Sequence, residues 1–206
     1  MNMEEIIRAV QKALGVEVDG KAGPETWRAI YSRITGKTVP ADPPTAPPPT
    51  SSGAVDARSE KTIAALQPEV RPYARSLVLK AASMGITIKV ISGLRTYDEQ
   101  NGLYAQGRTK PGKIVTNARG GFSNHNFGIA FDIGVFDGSS YIPESPRYKA
   151  VGALGSELGL EWGGNWKTIK DEPHFQLRPR WASNMAERDM LAELRARVAS
   201  GRALYA

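Results

Sequence analysis

The chain has 206 residues, 41% of them hydrophobic and 23% charged, the make-up of a globular protein with one core of ordinary size and a small appendage. Without cysteine it has no disulfide, no thiolate metal site and no cysteine nucleophile, so a metal must be held by His, Asp or Glu, and there are two histidines. With 27 Lys and Arg against 21 Asp and Glu, the net charge of +6 suits an anionic partner without choosing among nucleic acid, membrane surface and cell-wall polymer.

The first residues, MNMEEIIRAVQKALGVEVDG, carry acids where a secretory signal carries bases, so no signal peptide is expected. No stretch reaches the ~18 apolar residues of a membrane span. Ile6, Val10, Ala13 and Leu14 recur at helical spacing. Trp27, Ile30, Tyr31 and Ile34 do so again after Pro24, which suits a first helical position. Two short helices around a Gly-rich turn are predicted for residues 1–36, with Trp27 in their core.

Six of the 14 prolines fall between Pro40 and Pro49, in a segment with no aromatic residue, so residues 37–56 read as a linker. Residues 57–206 form the main domain. Tyr73, Leu77, Ala81 and Met84 share a helix face stopped by Gly85. ITIKVIS (86–92), FGIAFDIGVF (127–136) and PHFQLR (173–178) read as strands, and Asp137-Gly138 as a turn. Helices are predicted near 97–106, 147–158 and 182–198, the last with Met190, Leu191, Leu194 and Val198 at core spacing. Strands among irregular helices and loops give an α+β class, a small antiparallel sheet with flanking helices, preceded by the all-α module. From Arg71 to Arg119 nine basic residues face only Asp98 and Glu99, a solvated surface or an anion-attracting one.

The chemistry centres on the histidines. His125 lies seven residues before Asp132, and His174 three after Asp171. A zinc hydrolase needs about three protein ligands and an open position, which His125, Asp132 and His174 can supply. Asp132, inside the apolar run IAFDIGV, is costly to bury without a compensating cation. In the extended DEPH segment either Asp171 or Glu172 can serve as general base, and strand alternation favours Glu172.

The run Ser123 to Asp132, SNHNFGIAFD, resembles the SxHxxGxAxD signature of zinc D-Ala-D-Ala carboxypeptidases and L-Ala-D-Glu endopeptidases, phage endolysins among them. Flanking blocks at 92–116 and 162–177 extend the resemblance over most of residues 58–180. It implies the hedgehog/D-Ala-D-Ala peptidase fold, zinc on His125, Asp132 and His174, and Asp171 as the catalytic carboxylate. It also implies Arg95 as the substrate-side arginine and Ser123 beside the substrate. Trp162 and Trp166 bracket Gly163-Gly164 near that carboxylate, which makes Trp166 a candidate substrate contact.

VQKALGVEVDGKAGPETWRAI (10–30) is similar to the helical peptidoglycan-binding repeat, with Asp19, Gly20, Gly23 and Pro24 in its D-G-x-x-G-P core, although the usual third helix is missing. Together the resemblances imply a modular peptidoglycan hydrolase, monomeric, with bacterial peptidoglycan and no nucleic acid as partner. It would be endolysin-like, made in the host cytoplasm and acting on the wall. The C-terminal helix, with four arginines against three acids from residue 184 onward, is expected to pack rather than to disrupt membranes.

Overall fold

The computed structural model describes residues 2–16, 18–20, 24–36, 55–167 and 170–206, and the chain divides into two compact units, Met1–Pro47 and Pro48–Ala206. Apart from Val55 and Asp56, the expected linker lies outside the described residues. No helix among the described residues is long and apolar enough to cross a membrane.

In the first unit α1 (Met3–Leu14) starts with a capping box, in which Asn2 and Glu5 satisfy each other's backbone N–H, and ends at Gly15 with φ 71°. A second helix, α2 (Pro24–Thr35), opens on proline as predicted. The two are joined through a polar hub. Gln11, 1% exposed, donates to Asp19 Oδ1 at 2.6 Å and to Thr26 Oγ1 at 3.1 Å, and accepts from the Gly20 N–H at 2.9 Å. Trp27 does not enter a core: it is 61% exposed, and Ile34 77%. Two helices of three turns have too little facing surface to bury both apolar stripes.

The second unit is α+β. Helices α3 (Ala57–Ala64) and α4 (Arg71–Ser83) lead to β1 (Thr87–Ser92) and α5 (Tyr97–Ala105). Strand β2 (Ala130–Asp137) turns at Gly138 into β3 (Ser140–Ile142). There follow α6 (Arg147–Glu157), β4 (Glu161–Trp162), β5 (His174–Gln176) and α7 (Glu187–Ala199). The sheet is antiparallel in the order β1-β2-β5-β4, with β3 on the same side of β2 as β5. Strands β3 and β4, of three and two residues, are too short for periodicity to reveal.

Alternation along β2 decides which residues reach the site. Phe131, Ile133 and Val135 are fully buried with Leu77, Val90, Val151 and Phe175, so Asp132, between them, emerges on the other face. Phe131 stacks on Phe175 across the strand pair with centroids 5.8 Å apart. Helix α6 lies close because a Cβ on Gly155 would stand 2.4 Å from the Phe175 ring. A bulge between Val90 and Ser92 breaks the β1 ladder, and on the open edge of the sheet the Val90 N–H donates to Ser59 Oγ of α3 at 2.9 Å.

A second apolar cluster, Phe127, Ile129, Met190 and Leu194, seats α7 beside the turn before β2. Val198 is exposed rather than in the core, as is Met84, both at helix ends where the stripe has left the packed surface. Seven of the nine basic residues from Arg71 to Arg119 have intramolecular partners, among them Arg75 with Glu60, Lys80 with Glu157, and Arg108 and Arg119 against the Tyr104 ring.

Candidate active site

Three short pieces of chain bring the cluster together. His125 lies on the 3-10 turn Asn124–Phe127, which Gly128 closes at φ 66°. Asp132 and His174 are cross-strand partners on β2 and β5. Both imidazoles are buried, 3% and 5% exposed.

Hydrogen bonds fix which nitrogen of each ring is available. His125 Nδ1 is 2.8 Å from the Gly93 carbonyl oxygen, which requires the proton on Nδ1 and leaves the Nε2 lone pair free. His174 Nε2 is 3.0 Å from Gln176 Oε1, which leaves Nδ1 as the free lone pair. Those two nitrogens are 3.3 Å apart, and each is 3.2 Å from Asp132 Oδ1. A tetrahedral ion with bonds of ~2.0–2.1 Å holds its ligand atoms about 3.3 Å apart. The donor types and their spacing therefore fit a metal ion.

Asp132 Oδ2 takes a different partner, accepting from Arg95 Nη2 at 2.7 Å. Arg95 is itself held by Ser92 Oγ and by the buried Gln100, whose amide also donates to the Ala118 carbonyl. Burial opposes ionisation of Asp132, but the flanking His125 and His174 outweigh it and hold the carboxyl well below the usual range. For His174 burial works against the charged form, and Asp132 reverses the balance and raises its pKa.

Asp171 stands in the extended segment before β5, tied by its N–H to the Gly163 carbonyl and by its own carbonyl to the His174 N–H, both at 3.1 Å. Burial first, then repulsion from Asp132, pushes its carboxyl above the usual range. Its side chain lines a cavity of about 840 Å³ whose wall also carries Arg95, Ser123, His125, Asp132 and His174. Glu172, which alternation favoured, is not on that wall; its carbonyl accepts from Trp162 Nε1. Trp166 is on it, 37% exposed with its ring 4.9 Å from that of His174, whereas Trp162 packs under Gly152 and Gly164.

The structure also brings to the cavity Tyr141 of β3 and Glu187 and Leu191 of α7, for which the sequence carries no local signal. In the first unit Asp19 and Gly20 are used in the Gln11 hub and Pro24 begins α2; Gly23 lies outside the described residues.

Two buried histidines and a carboxylate on the wall of an open cavity, with a second carboxylate beside them, define the site of a mononuclear metal hydrolase. The family described as D-alanyl-D-alanine carboxypeptidase matches residues 116–177, and a peptidoglycan binding domain matches residues 2–30. The peptidoglycan L-alanyl-D-glutamate endopeptidase CwlK of Bacillus subtilis is 40% identical over 124 residues, 55% of this chain and 74% of the relative. Among solved structures, the L-Ala D-Glu endopeptidase ChiX of Serratia marcescens is 28% identical, with a TM-score of 0.49 over 60% of this chain and 88% of its own. The D,D-pentapeptidase VanY of a VanB-type vancomycin resistance cassette is 18% identical, with a TM-score of 0.44 over 68% and 81%. The chain belongs to the family of cell-wall metallopeptidases that unites the D-alanyl-D-alanine carboxypeptidases with CwlK.

Proposed function

We propose that the chain is a modular peptidoglycan hydrolase that cuts the stem peptide at the L-Ala-D-Glu bond, with His125, Asp132 and His174 holding zinc. The observation that carries this reading is the convergence of three lone pairs at 3.2–3.3 Å on a cavity wall shared with Asp171. The 40% identity to an L-alanyl-D-glutamate endopeptidase supports the choice of bond.

Zinc held there supplies Lewis acidity, polarising the scissile carbonyl and acidifying a water toward a pKa of ~7. The remaining work falls to the chain. Asp171 takes the proton of the attacking water and returns it to the leaving amine, a role suited to a carboxyl whose pKa burial has raised. Arg95 lines the same cavity with a fixed positive charge that faces the developing oxyanion or a stem carboxylate. Ser123 and Trp166 form the wall that orients the peptide. The first unit, through residues around Asp19, Gly20, Gly23 and Pro24, holds the enzyme on the wall and raises the local substrate concentration across the proline linker of residues 37–56. Attachment to wall and stem-peptide cleavage in one monomeric chain suit a lytic enzyme of the endolysin type.

Digestion of intact peptidoglycan with and without a chelator, followed by mass spectrometry of the fragments, tests the reading. New D-Glu amino termini that vanish on chelation support it. The match to the carboxypeptidase family favours one alternative, release of terminal D-Ala, which the same spectra distinguish.

A further inference from the structure

A closed ring of hydrogen bonds lies behind His174. His174 Nε2 meets Gln176 Oε1 at 3.0 Å, and the same oxygen accepts from Asn124 Nδ2. Gln176 Nε2 donates to Glu161 Oε2 at 2.6 Å. Glu161 Oε1 accepts from Arg178 Nε, Arg178 Nη2 donates to Glu187 Oε2 at 2.7 Å, and Glu187 Oε1 accepts from Asn124 Nδ2, which returns the path to Gln176.

The polarity of the ring is forced. Carboxylates only accept and guanidinium only donates, so the Gln176 amide must turn its N–H toward Glu161 and its oxygen toward His174. Asn124 must likewise point both its N–H groups at Gln176 and Glu187, and it does so although its own Oδ1 is buried with no hydrogen-bond partner among the described residues. With an acceptor oxygen at His174 Nε2, the ring proton sits there and Nδ1 faces Asp132 Oδ1 and His125 Nε2.

We propose that Gln176 is a positioning residue for the metal centre, and that Glu187, at the start of α7, and Glu161, on β4, lock its amide in the one orientation that leaves His174 Nδ1 free. The C-terminal helix is thereby part of the metal-holding apparatus and not only a packed cover. The inference rests on reading His125, Asp132 and His174 as metal ligands.

Outer-shell partners of this kind are worth about 10–100-fold in metal affinity. The test is zinc affinity of the full chain by competition with a chromophoric chelator, the visible spectrum of the Co(II)-loaded protein, and the melting temperature of the metal-free protein. Gln176→Met, which keeps the volume but removes the acceptor from His174 Nε2, and Glu161→Gln, which sets an amide N–H against that of Gln176, each weaken zinc by about tenfold or more and shift the Co(II) bands. Glu187→Ala, at a half-exposed position that spares folding, weakens zinc in the same direction. Glu161→Gln combined with Gln176→Glu restores the donor and acceptor pattern around the whole ring and brings affinity back to within about threefold of the parent. A purely structural role would lower the melting temperature without this reversal. Folded variants that all bind zinc within about twofold of the parent, with unchanged Co(II) spectra, overturn the inference. His125→Ala serves as the reference for the underlying reading: if it too binds zinc like the parent, the ligand assignment fails first.

Discussion

Asp132 and His174 face each other in register across β2 and β5, with Asp132 Oδ1 3.2 Å from His174 Nδ1, while Asp132 Oδ2 is held by Arg95 at 2.7 Å. One carboxylate thus links His174 on the next strand to the arginine after β1. An antiparallel pair is a rigid way to set such a distance, because register fixes the Cα separation before either side chain is placed.

Asp171→Ala separates proton transfer from metal binding. Hydrolysis of peptidoglycan is expected to fall about 10²–10⁴-fold, the usual worth of a general acid or base. Zinc stoichiometry by atomic absorption is expected to remain that of the parent. His125→Ala shows the opposite pattern, with metal lost together with activity.

Gly163→Ala tests how closely two backbone segments must approach. A Cβ there would stand 2.5 Å from the Asp171 carbonyl oxygen and 3.0 Å from His174 Cβ, so the segment carrying Asp171 has to move. Overpacking costs about 1–3 kcal/mol. A lower melting temperature together with loss of activity at full zinc occupancy is expected; activity equal to the parent contradicts the placement.

The pH dependence of stability is expected to show at α3. Burial would raise the Asp56 carboxyl, but the hydrogen bonds from Ser59 prevail and lower it; Glu60 is lowered chiefly by its hydrogen bond to Arg75. Folded-state values below the unfolded ones mean stabilisation that is present above the ordinary carboxylate range, near pH 4, and lost as pH falls through the folded values. Asp56→Ala removes the cap at about 0.5–2 kcal/mol, while Asp56→Asn keeps the cap and flattens the acid limb of the melting curve. Glu60→Gln also flattens it, by the few tenths of a kcal/mol of a largely solvent-screened pair. Chemical denaturation between pH 3 and 7 measures both.

Gln11→Leu tests the first unit. It leaves Asp19 and Thr26 without the Gln11 amide and the Gly20 N–H without its acceptor, at a cost of about 1–3 kcal/mol. Retention of the full chain on purified wall is expected to drop, while cleavage of soluble stem peptides is unchanged. Retention equal to the parent would separate wall binding from this hub.

The His125, Asp132 and His174 cluster was legible because the signature packs the first two into a short run, with a charged residue where a buried strand should have an apolar one, and because the chain has one other histidine. The place of Asp171 on the cavity wall was legible only through the family resemblance, since alternation, broken at Pro173, pointed to Glu172. Tyr141, Gln100, Glu161 and Glu187 reach the site or its supports through tertiary packing of β3, α5, β4 and α7, and nothing in their local sequence marks them. Trp27 was misplaced because helical periodicity shows that a helix has an apolar face, not that a partner exists to cover it.

On the proposed reading, His125, Asp132 and His174 hold the zinc that the hydrolysis needs. The most direct measurement is release of new D-Glu amino termini from intact peptidoglycan by the zinc-loaded chain, the chelated chain and the chain reloaded with zinc. Cleavage, its loss and its return are the expected results. Cleavage that survives complete removal of zinc, or none from a chain carrying one zinc per molecule, contradicts the reading.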